Sequence, residues 1–330
     1  MIPLLVAAGE PVPAKALVLD CGLTGGAATY SHWLAAVPCP PELAADTSTG
    51  MALLAAQDPK RWLNDFAVAC TDHLDADGAL ALAVACRPEV ARDHADTLLG
   101  AAEAGDFQAW PSASGFRLLL RIHQVLRHEQ SAGVGWPQRA ADAVVARFPE
   151  LITEAAQPDV ERDHAVAQVE SVRERLAART GFTCELLGDL VSISWQRHLG
   201  HAWDQFGEVY CADDLPLWAL GGMFPDTAFQ LCAERHDHGT TYVLDAPRHS
   251  WARTVHRPSV SWPDLSRAQL RLNGLDKGRC QWVIRPAAQR IGFVCQLASV
   301  DEQGLPAGSG LSLATVSSTI REALRLRPHC

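Results

Sequence analysis

The chain has 330 residues, enough for two domains or one large domain, and its 48% hydrophobic content is ample for a folded core. The formal net charge of −10 disfavours non-specific binding to long nucleic acid or to an anionic membrane, although a small phosphorylated substrate could still bind through a metal ion. No segment resembles a signal peptide or a membrane span, and the ten cysteines form no C-x-x-C pair. We therefore expect a soluble, cytoplasmic protein with reduced cysteines.

The first half of the chain alternates segments typical of strands and of helices. Strands are predicted over residues 15–22 and 64–72, with a further short strand within residues 41–50 that ends at Asp46, and helices are predicted over residues 26–37, 51–57, 78–87 and 88–107. This alternation favours a parallel sheet, in which ligands bind beyond the carboxyl ends of the strands. Asp20, Asp46 and the acidic cluster at 72–77 all follow predicted strands, so neighbouring strands would bring them to one crevice.

The second half begins with helices and then changes character. Helical periodicity covers residues 114–130 and 160–180, and helices are also predicted over 264–276 and 313–327. Short strands are predicted over residues 186–195, 227–237, 240–247, 250–256, 280–286 and 290–298. The fold class is therefore α/β: a parallel-sheet domain with a helical extension over residues 1–180, followed by an α+β substrate or cap domain over residues 181–330.

The segment His73-x-Asp75-x-Asp77-Gly78 is the strongest candidate site because it follows a buried apolar run. Residues two apart on an extended segment point to the same side, so its imidazole and two carboxylates could share one face. Such an oxygen-rich set suits Mg²⁺, Mn²⁺ or iron better than a structural zinc ion. An EF-hand is excluded, because position 12 counted from His73 is Val84 rather than glutamate. The alternative is an acidic turn in which Asp77 caps the next helix.

The same segment resembles the first signature of the DHH phosphoesterase superfamily, which includes nucleases, oligoribonucleases and inorganic pyrophosphatases. There an H-x-D-x-D-G segment follows a buried strand. The resemblance implies that His73 and Asp75 bind one metal ion and that Asp77 binds a second, so that two metal ions activate a water for phosphoester hydrolysis. The whole chain also resembles an uncharacterised bacterial family that shares the D-x-D-G segment and the downstream A-G-D-F at 104–107.

Two further segments of the first half offer site residues. Asp106 and His94 flank an apolar helix, and we predict them as catalytic general bases or completing ligands, with Gly105 as an ordinary helix C-cap. Asp46 opens the segment D-T-S-T-G and is predicted to complete a metal shell, with Thr47 or Ser48 touching substrate oxygens. The alternative is that Asp46 or Ser48 caps the next helix.

The glycine-rich segment C-G-L-T-G-G at 21–26 either wraps an anion with its backbone N–H groups or forms a plain tight turn.

The second half offers two histidine clusters and an arginine-rich segment. The clusters are His198, His201 and Asp204, and Glu234, His236, Asp237 and His238. The arginines are Arg248, Arg253 and Arg257, which suit a phosphate or a carboxylate. We predict Arg248, Arg253 and His238 as substrate-binding residues, and the alternative for each is a solvated surface position.

These patterns predict a divalent-metal-dependent hydrolase that uses Mn²⁺ or Mg²⁺, with iron as another option. Its metal ligands would be His73, Asp75, Asp77 and Asp46. The resemblance implies a phosphoester or nucleotide-like small molecule as substrate and a metal-activated water as nucleophile. The alternatives are a metal-dependent enzyme with non-hydrolytic chemistry, a non-catalytic binding or regulatory protein on a degenerate scaffold, and a dinucleotide-dependent enzyme that uses residues 21–26. We expect no long nucleic acid and no membrane as partners, and a homodimer is one option for the assembly.

Overall fold

The structure is a computed structural model. It describes residues 1–7, 9–196, 215, 217–224, 227–245, 248–257, 263–285, 296–305 and 307–325. The chain forms two compact units: Met1–Ala167 with Trp251–Ser259, and Gln168–Ser250 with Val260–Cys330. The main segment of the first unit therefore ends at Ala167, before the predicted domain boundary at residue 180. Residues 251–257, which we call the return segment, belong to the first unit although they follow most of the second unit's sheet in sequence.

A four-stranded parallel sheet forms the centre of the first unit. Its strands are β1 (Ile2–Leu5), β2 (Ala16–Leu19), β3 (Ala28–Tyr30) and β4 (Val68–Thr71), in the order β1-β4-β2-β3. The four residues of β2 are fully buried, as expected for a central strand of a parallel sheet that is covered on both faces. The predicted α/β fold with a parallel sheet is confirmed.

Helices follow strands β3 and β4, and several of them pack against the sheet. They are α1 (Ser48–Gln57), α2 (Pro59–Trp62), α3 (Ala76–Cys86), α4 (Pro88–Ala91), α5 (Ala95–Phe107), α6 (Ala113–Ser131), α7 (Trp136–Ala146), α8 (Phe148–Ala156) and α9 (Val160–Ala177). Helix α3 packs against α1, α5 and α7 and is buried from Ala76 to Ala85, which explains why it is apolar nearly all round. The helix predicted over 88–107 is divided by a 3₁₀ turn at Arg92–His94.

Two predictions for the first half are wrong. Residues 26–37, predicted as a helix, contain β3 and an irregular segment, because Ala28–Tyr30 pairs with β2 and this pairing overrides the helical preference of the alanines. Residues 41–50, predicted to hold a short strand that ends at Asp46, contain a 3₁₀ turn at Pro41–Leu43 and the start of α1. Prolines at 40 and 41 lack the N–H groups that a strand ladder requires.

The second unit has a six-stranded mixed sheet. Its strands are β5 (Phe182–Leu187), β6 (Leu190–Gln196), β7 (Phe229–His236), β8 (Gly239–Asp245), β9 (Gln281–Arg285) and β10 (Gln296–Val300), in the order β5-β6-β7-β8-β10-β9. The β6–β7 pair is parallel and the other pairs are antiparallel. The helices are α10 (Leu217–Leu220), α11 (Ser266–Asp276) and α12 (Leu313–Arg325), and residues of α11 and α12 share a core with the sheet.

The strand predicted over 250–256 is also wrong. It contains the end of a 3₁₀ turn, Arg248–Trp251, and a loop in which Ala252 forms an isolated bridge with Trp33. None of the described helices is both long enough and apolar enough to span a membrane.

Asp276, at the end of α11, is a buried carboxylate that accepts several hydrogen bonds within the second unit. Its Oδ2 accepts hydrogen bonds from Ser309 Oγ at 2.6 Å and from Cys280 Sγ and Trp282 Nε1 at 3.0 Å each. Its Oδ1 accepts a bond from the backbone N–H of Gly310 at 3.1 Å. Burial alone would raise the pKa of this carboxyl, but the donated bonds outweigh burial and hold the pKa below its ordinary value. Asp276 is therefore a structural carboxylate.

Candidate metal centre

Six acidic or imidazole side chains converge beyond the carboxyl ends of the parallel strands. Asp20 follows β2, His32 follows β3, His73 and Asp75 follow β4, Asp77 lies in the first turn of α3, and Asp106 lies in the last turn of α5. We call these six residues the cluster. Ligands bind at this edge of open parallel sheets because the loops there leave a crevice.

Four of these side chains form an inner group. One potential ligand atom each from Asp20, His32, Asp77 and Asp106 lies within 4.8 Å of the others, and all four residues are buried. His32 lies at the centre of the group, with its Nε2 at 3.2 Å from Asp106 Oδ2 and its Nδ1 at 3.5 Å from Asp77 Oδ2. Solvent reaches none of these side chains appreciably.

An outer group consists of Asp20, His73 and Asp75. His73 Nε2 lies 3.5 Å from both Asp20 Oδ2 and Asp75 Oδ2, and the His73 side chain is 25% exposed. Its other ring nitrogen, Nδ1, lies 2.7 Å from Asp72 Oδ1, an arrangement that orients a ligating imidazole. Asp20 belongs to both groups. It presents Oδ2 to His73, whereas its Oδ1 lies 3.6 Å from His32 Nδ1.

Two of the carboxylates also hold helix termini. Asp75 is the N-cap of α3 and accepts a bond from Gly78 N at 2.8 Å. Asp77 accepts bonds at the start of α1, from Ser48 N at 2.8 Å and Thr49 N at 2.9 Å. The predicted alternative, with Asp77 as the cap of its own helix, is therefore wrong. These contacts with helix termini explain the presence of Asp75 and Asp77, but they do not explain the histidines of the cluster.

Three buried atoms of the cluster have no hydrogen-bond partner among the described residues: Asp20 Oδ2, His32 Nε2 and Asp106 Oδ2. Buried polar atoms are normally paired, because an unpaired one costs about 1–3 kcal/mol. His32 Nε2 and Asp106 Oδ2 lie 3.2 Å apart without forming a hydrogen bond. Two ligands at right angles, each about 2.1 Å from an octahedral cation, would lie roughly 3.0 Å apart. The observed separation therefore fits two ligands of one cation.

Glycine at position 78 leaves space beside the outer group. A Cβ at Gly78 would lie 3.1 Å from Asp20 Oδ2 and 3.4 Å from Asp75 Oδ1. A side chain at position 78 would therefore crowd two of the acidic groups, and the unpaired atoms indicate that the cluster of aspartates and histidines could hold a metal ion.

The electrostatics of the cluster indicate an excess of negative charge. Burial raises the pKa of Asp20 and of Asp106 well above the ordinary value, and neighbouring aspartates raise both further. Burial also raises the pKa of Asp77 and lowers that of His32. A divalent cation would relieve the repulsion between these carboxylates.

His73 and Asp75 form a charge pair within the cluster. Burial lowers the pKa of His73, but hydrogen bonds to Asp72 and Asp75 outweigh burial and raise the pKa to about 12. Burial raises the pKa of Asp75, but the bond from His73 and its charge outweigh burial and lower the pKa to about 2. In the metal-free protein, the positively charged imidazolium of His73 therefore balances one of the negative charges of the cluster.

Aromatic rings shelter the cluster. The ring of Trp251 lies 4.9 Å from that of His32, and Phe107 packs against Trp251. Trp33 lies 5.1 Å from the His73 ring, and its Nε1 donates a hydrogen bond to Asp20 Oδ1 at 3.2 Å. These rings exclude water from the inner group and leave His73 as the most exposed of the six residues.

The structure does not bring Asp46 to the cluster, contrary to the prediction. Asp46 Oδ1 accepts bonds from the backbone of Val255 (2.5 Å) and His256 (2.9 Å), and Oδ2 pairs with Arg257 Nη1 at 2.6 Å. Burial raises the pKa of Asp46, but these donors outweigh burial and lower it. Arg257 also pairs with Glu103 Oε2 at 2.9 Å, so Asp46 fastens the return segment instead of binding metal.

Other predicted site residues are not members of the cluster. His94 is exposed in the 3₁₀ turn before α5, and His238 is exposed in the turn between β7 and β8. Arg253 donates its backbone N–H to His32 O and its side chain to Leu34 O and Ala36 O, so it supports the loop after β3. The side chain of Arg248 and the first histidine cluster, at 198, 201 and 204, lie outside the described residues.

Sequence reasoning missed His32 and did not include Asp20 among the ligands. His32 was hidden because residues 26–37 were interpreted as a helix, so no strand end was expected before it. Asp20 was recognised at the end of β2, but the neighbouring strand β3, which His32 follows, was not predicted. The signal that the sequence offers for His32 is a histidine between two aromatic residues in the segment Y-S-H-W.

Gly105 is a helix residue, not the predicted C-cap. Helix α5 continues to Phe107, and its C-cap is Gln108 in the left-handed conformation. A Cβ at Gly105 would lie 2.8 Å from Ala76 Cβ. Glycine therefore permits the close approach of α5 to α3 that places Asp106 in the cluster.

Comparisons with known proteins give one match. No curated protein and no solved structure matches the chain. A family model matches residues 6–305, a range that includes all six residues of the cluster and the return segment. The chain therefore belongs to DUF6687, a family of unknown function.

Proposed function

We propose that the chain is a divalent-metal-dependent hydrolase whose centre is the cluster of Asp20, His32, His73, Asp75, Asp77 and Asp106. The observation that carries this proposal is the set of three buried, unpaired ligand atoms, Asp20 Oδ2, His32 Nε2 and Asp106 Oδ2. A folded protein rarely retains three such atoms together unless a cation or another ligand satisfies them.

The two overlapping groups support two cation positions. The inner position would use His32, Asp77 and Asp106, the outer position would use His73 and Asp75, and Asp20 would bridge them. Carboxylates with one or two imidazoles suit Mn²⁺ or Mg²⁺, and iron is compatible with the same set. Because the inner group is buried and His73 is partly exposed, we propose that substrate approaches the outer position.

A divalent cation at this centre would supply Lewis acidity and lower the pKa of a bound water. The chain itself would orient the ligands and exclude bulk water. Asp72 orients His73 through the 2.7 Å contact, and Trp33 orients Asp20 through its indole N–H. His94 has no part in this proposal, because it is exposed outside the cluster.

A phosphoester or nucleotide-like small molecule is the proposed substrate class. The support is the resemblance of His73-x-Asp75-x-Asp77-Gly78 to the DHH signature, together with its position directly after a strand of a parallel sheet. The chain carries no D-H-H and no G-G-G-H segment, so the resemblance is restricted to this signature. A reducing compartment such as the cytoplasm fits the seven described cysteines, all of which are free thiols.

The first test measures metal content by elemental mass spectrometry in protein purified without a histidine tag. We expect one or two equivalents of Mn, Fe or Mg in the wild type and a loss of metal in Asp75→Asn. Asparagine caps helices as well as aspartate does, so this variant should keep the cap of α3 while it loses a ligand charge. Asp65→Asn, at an exposed carboxylate, is the matched control.

Wild-type protein that contains no metal, and whose thermal stability does not change with Mn²⁺ or Mg²⁺, would contradict the proposal. The loaded protein is then incubated with chromogenic phosphomonoesters and phosphodiesters and with short oligonucleotides. Hydrolysis that is lost in Asp75→Asn and retained in Asp65→Asn is the expected result. Bound metal without hydrolysis would favour the non-hydrolytic alternative.

A further inference from the structure

We infer that Ser48 is a positioning residue that fixes the proton of His32 on Nδ1, so that the Nε2 lone pair is available to bind a cation together with Asp106. This inference deepens the proposed function and rests on it for the identity of the bound ion. The placement of the proton follows from hydrogen bonds alone.

The Ser48 hydroxyl lies between two polar groups. Its Oγ is 3.0 Å from His32 Nδ1 and 3.1 Å from Asp20 Oδ1. A hydroxyl has one proton to donate. Trp33 Nε1 also donates to Asp20 Oδ1, which identifies that oxygen as an acceptor. Ser48 therefore donates its proton to Asp20 and accepts a hydrogen bond from His32 Nδ1–H.

The opposite tautomer satisfies fewer groups. If the proton were on His32 Nε2, Ser48 would have to donate its single proton to Nδ1, and its Oγ would then face Asp20 Oδ1 at 3.1 Å with no proton between the two oxygens. The Nε2–H would also gain no hydrogen bond, because Asp106 Oδ2 lies 3.2 Å away without hydrogen-bonding geometry. The surroundings of both ring nitrogens thus favour Nδ1–H.

With the proton on Nδ1, two acceptors face each other in the protein interior. His32 Nε2 and Asp106 Oδ2 are both buried and unpaired among the described residues. When Asp106 is ionised, their contact is repulsive unless a proton or a metal cation lies between them. The arrangement is therefore prepared for a cation, and it depends on a serine that touches neither unpaired atom.

Helix α1 holds Ser48 in place. Thr47 is the N-cap, and its side chain accepts a bond from Gly50 N at 3.0 Å. The backbone N–H of Ser48 and that of Thr49 donate to the two oxygens of Asp77. A Cβ at Gly50 would lie 2.9 Å from Ala45 Cβ, so glycine is required for this tight start. The Ser48 side chain is fixed by the same turn that anchors Asp77.

The test is the tautomer of His32 in metal-free protein. Protein labelled with ¹⁵N-histidine is treated with a chelator, and long-range ¹H–¹⁵N spectra distinguish a protonated ring nitrogen from a bare one. The His32 signals are those that disappear in His32→Gln. We expect Nδ1–H in the wild type and the appearance of the Nε2–H tautomer beside it in Ser48→Ala, because Nδ1–H then loses its hydrogen-bond acceptor.

Thr47→Ala is the matched control. It removes a buried hydroxyl from the same turn and weakens the helix start, but Thr47 bonds Gly50 and not the cluster. We expect this variant to keep the wild-type tautomer. A proton on Nε2 in the wild type, or an unchanged tautomer in Ser48→Ala, would overturn the inference. The same shift in Thr47→Ala would also overturn it, because the effect would then be structural.

Titration with Co²⁺ separates this inference from the proposed function. Outer-shell partners of ligating histidines contribute about 10–100-fold to metal affinity, so we expect a loss of that size and a changed visible spectrum in Ser48→Ala. If the wild type binds no Co²⁺, the proposed function fails while the tautomer result stands. If Ser48→Ala binds Co²⁺ with wild-type affinity and spectrum, the positioning role fails while the metal centre stands.

Discussion

Replacement of Asp106 by asparagine should stabilise the metal-free protein and abolish its response to metal. In the wild type, Asp106 Oδ2 lies 3.2 Å from His32 Nε2, and both atoms are buried without a hydrogen-bond partner among the described residues. Where Asp106 is ionised, Asp106→Asn removes the charge, and after a small rotation of the side chain it supplies an N–H group that can donate to the Nε2 lone pair. A repulsive contact is thereby exchanged for a hydrogen bond.

The magnitude follows from these two changes. An unpaired buried polar group costs about 1–3 kcal/mol, and a neutral hydrogen bond contributes about 1 kcal/mol. Allowing for imperfect geometry, we expect the metal-free variant to gain about 2 kcal/mol. For a unit of this size, 1 kcal/mol shifts the melting temperature by about 2–4 °C, so the expected rise is about 4–8 °C. Free cation at about 1,000 times its Kd would stabilise the wild type by about 4 kcal/mol, which reverses the order of the two proteins.

The gain should also depend on pH. Burial and the charges of Asp77 and Asp75 raise the pKa of Asp106, so the native state retains a proton that the unfolded chain releases above about pH 4. The native state then binds more protons than the unfolded state, and stability falls as pH rises from there towards the raised pKa. Asp106→Asn removes this slope, and its advantage should be larger near neutral pH than near pH 4.

The assay is thermal unfolding followed by circular dichroism, with chelator or with Mn²⁺, for the wild type, Asp106→Asn and the exposed control Asp65→Asn. The control should behave as the wild type does under both conditions. A variant that is less stable than the wild type in chelator and retains its stabilisation by Mn²⁺ would refute the reasoning, because Asp106 would then be an ordinary structural carboxylate.

Three further predictions concern single residues. Gly78→Ala places a methyl group 3.1 Å from Asp20 Oδ2 and favours helix α3 by about 1 kcal/mol. Calorimetry should therefore show that the affinity for Mn²⁺ falls at least about tenfold while the protein keeps its stability. Unchanged affinity would argue against the outer position. Asp276→Asn should cost the second unit about 2–3 kcal/mol in urea unfolding, because four donors lose a charged acceptor. Since the pKa of Asp276 is lowered, the wild-type advantage should persist above about pH 4 and disappear as pH falls below it; equal stability of the two proteins at neutral pH would contradict this role. Arg257→Met should release the return segment from Asp46 and Glu103, with faster hydrogen exchange at the Val255 and His256 amides; protection equal to that of the wild type would show that the arginine does not fasten the segment.

The part of the fold that could be predicted is the part that local patterns determine. Strands β2 and β4 are short apolar runs, and helix α3 follows an acidic N-cap, so the position of His73, Asp75 and Asp77 at a sheet edge was predictable. Strand β3 was not predictable in this way, because only its pairing with β2 makes Ala28–Tyr30 extended. His32 was missed for the same reason.

Long-range packing determines the rest of the cluster. Asp106 reaches Asp20 because Gly105 allows α5 to approach α3, and sequence spacing carries no information about that approach. Asp46 looked equivalent to Asp20, as an acid after an apolar run, but its partners lie more than two hundred residues away in the return segment. A contact of that sequence separation cannot be inferred from one sequence without an alignment.

The return segment has a consequence for the order of events during synthesis. The first unit lacks Trp251 and Arg257 until roughly ninety residues after Ala167 have been made, which takes about 5–18 s at about 5–20 residues per second. Throughout that interval His32 lacks the indole of Trp251, and Asp46 lacks the guanidinium of Arg257. If the inner group forms before then, it can take up a cation while the aromatic cover of Trp33 and Phe107 is still incomplete, and Trp251 completes that cover afterwards.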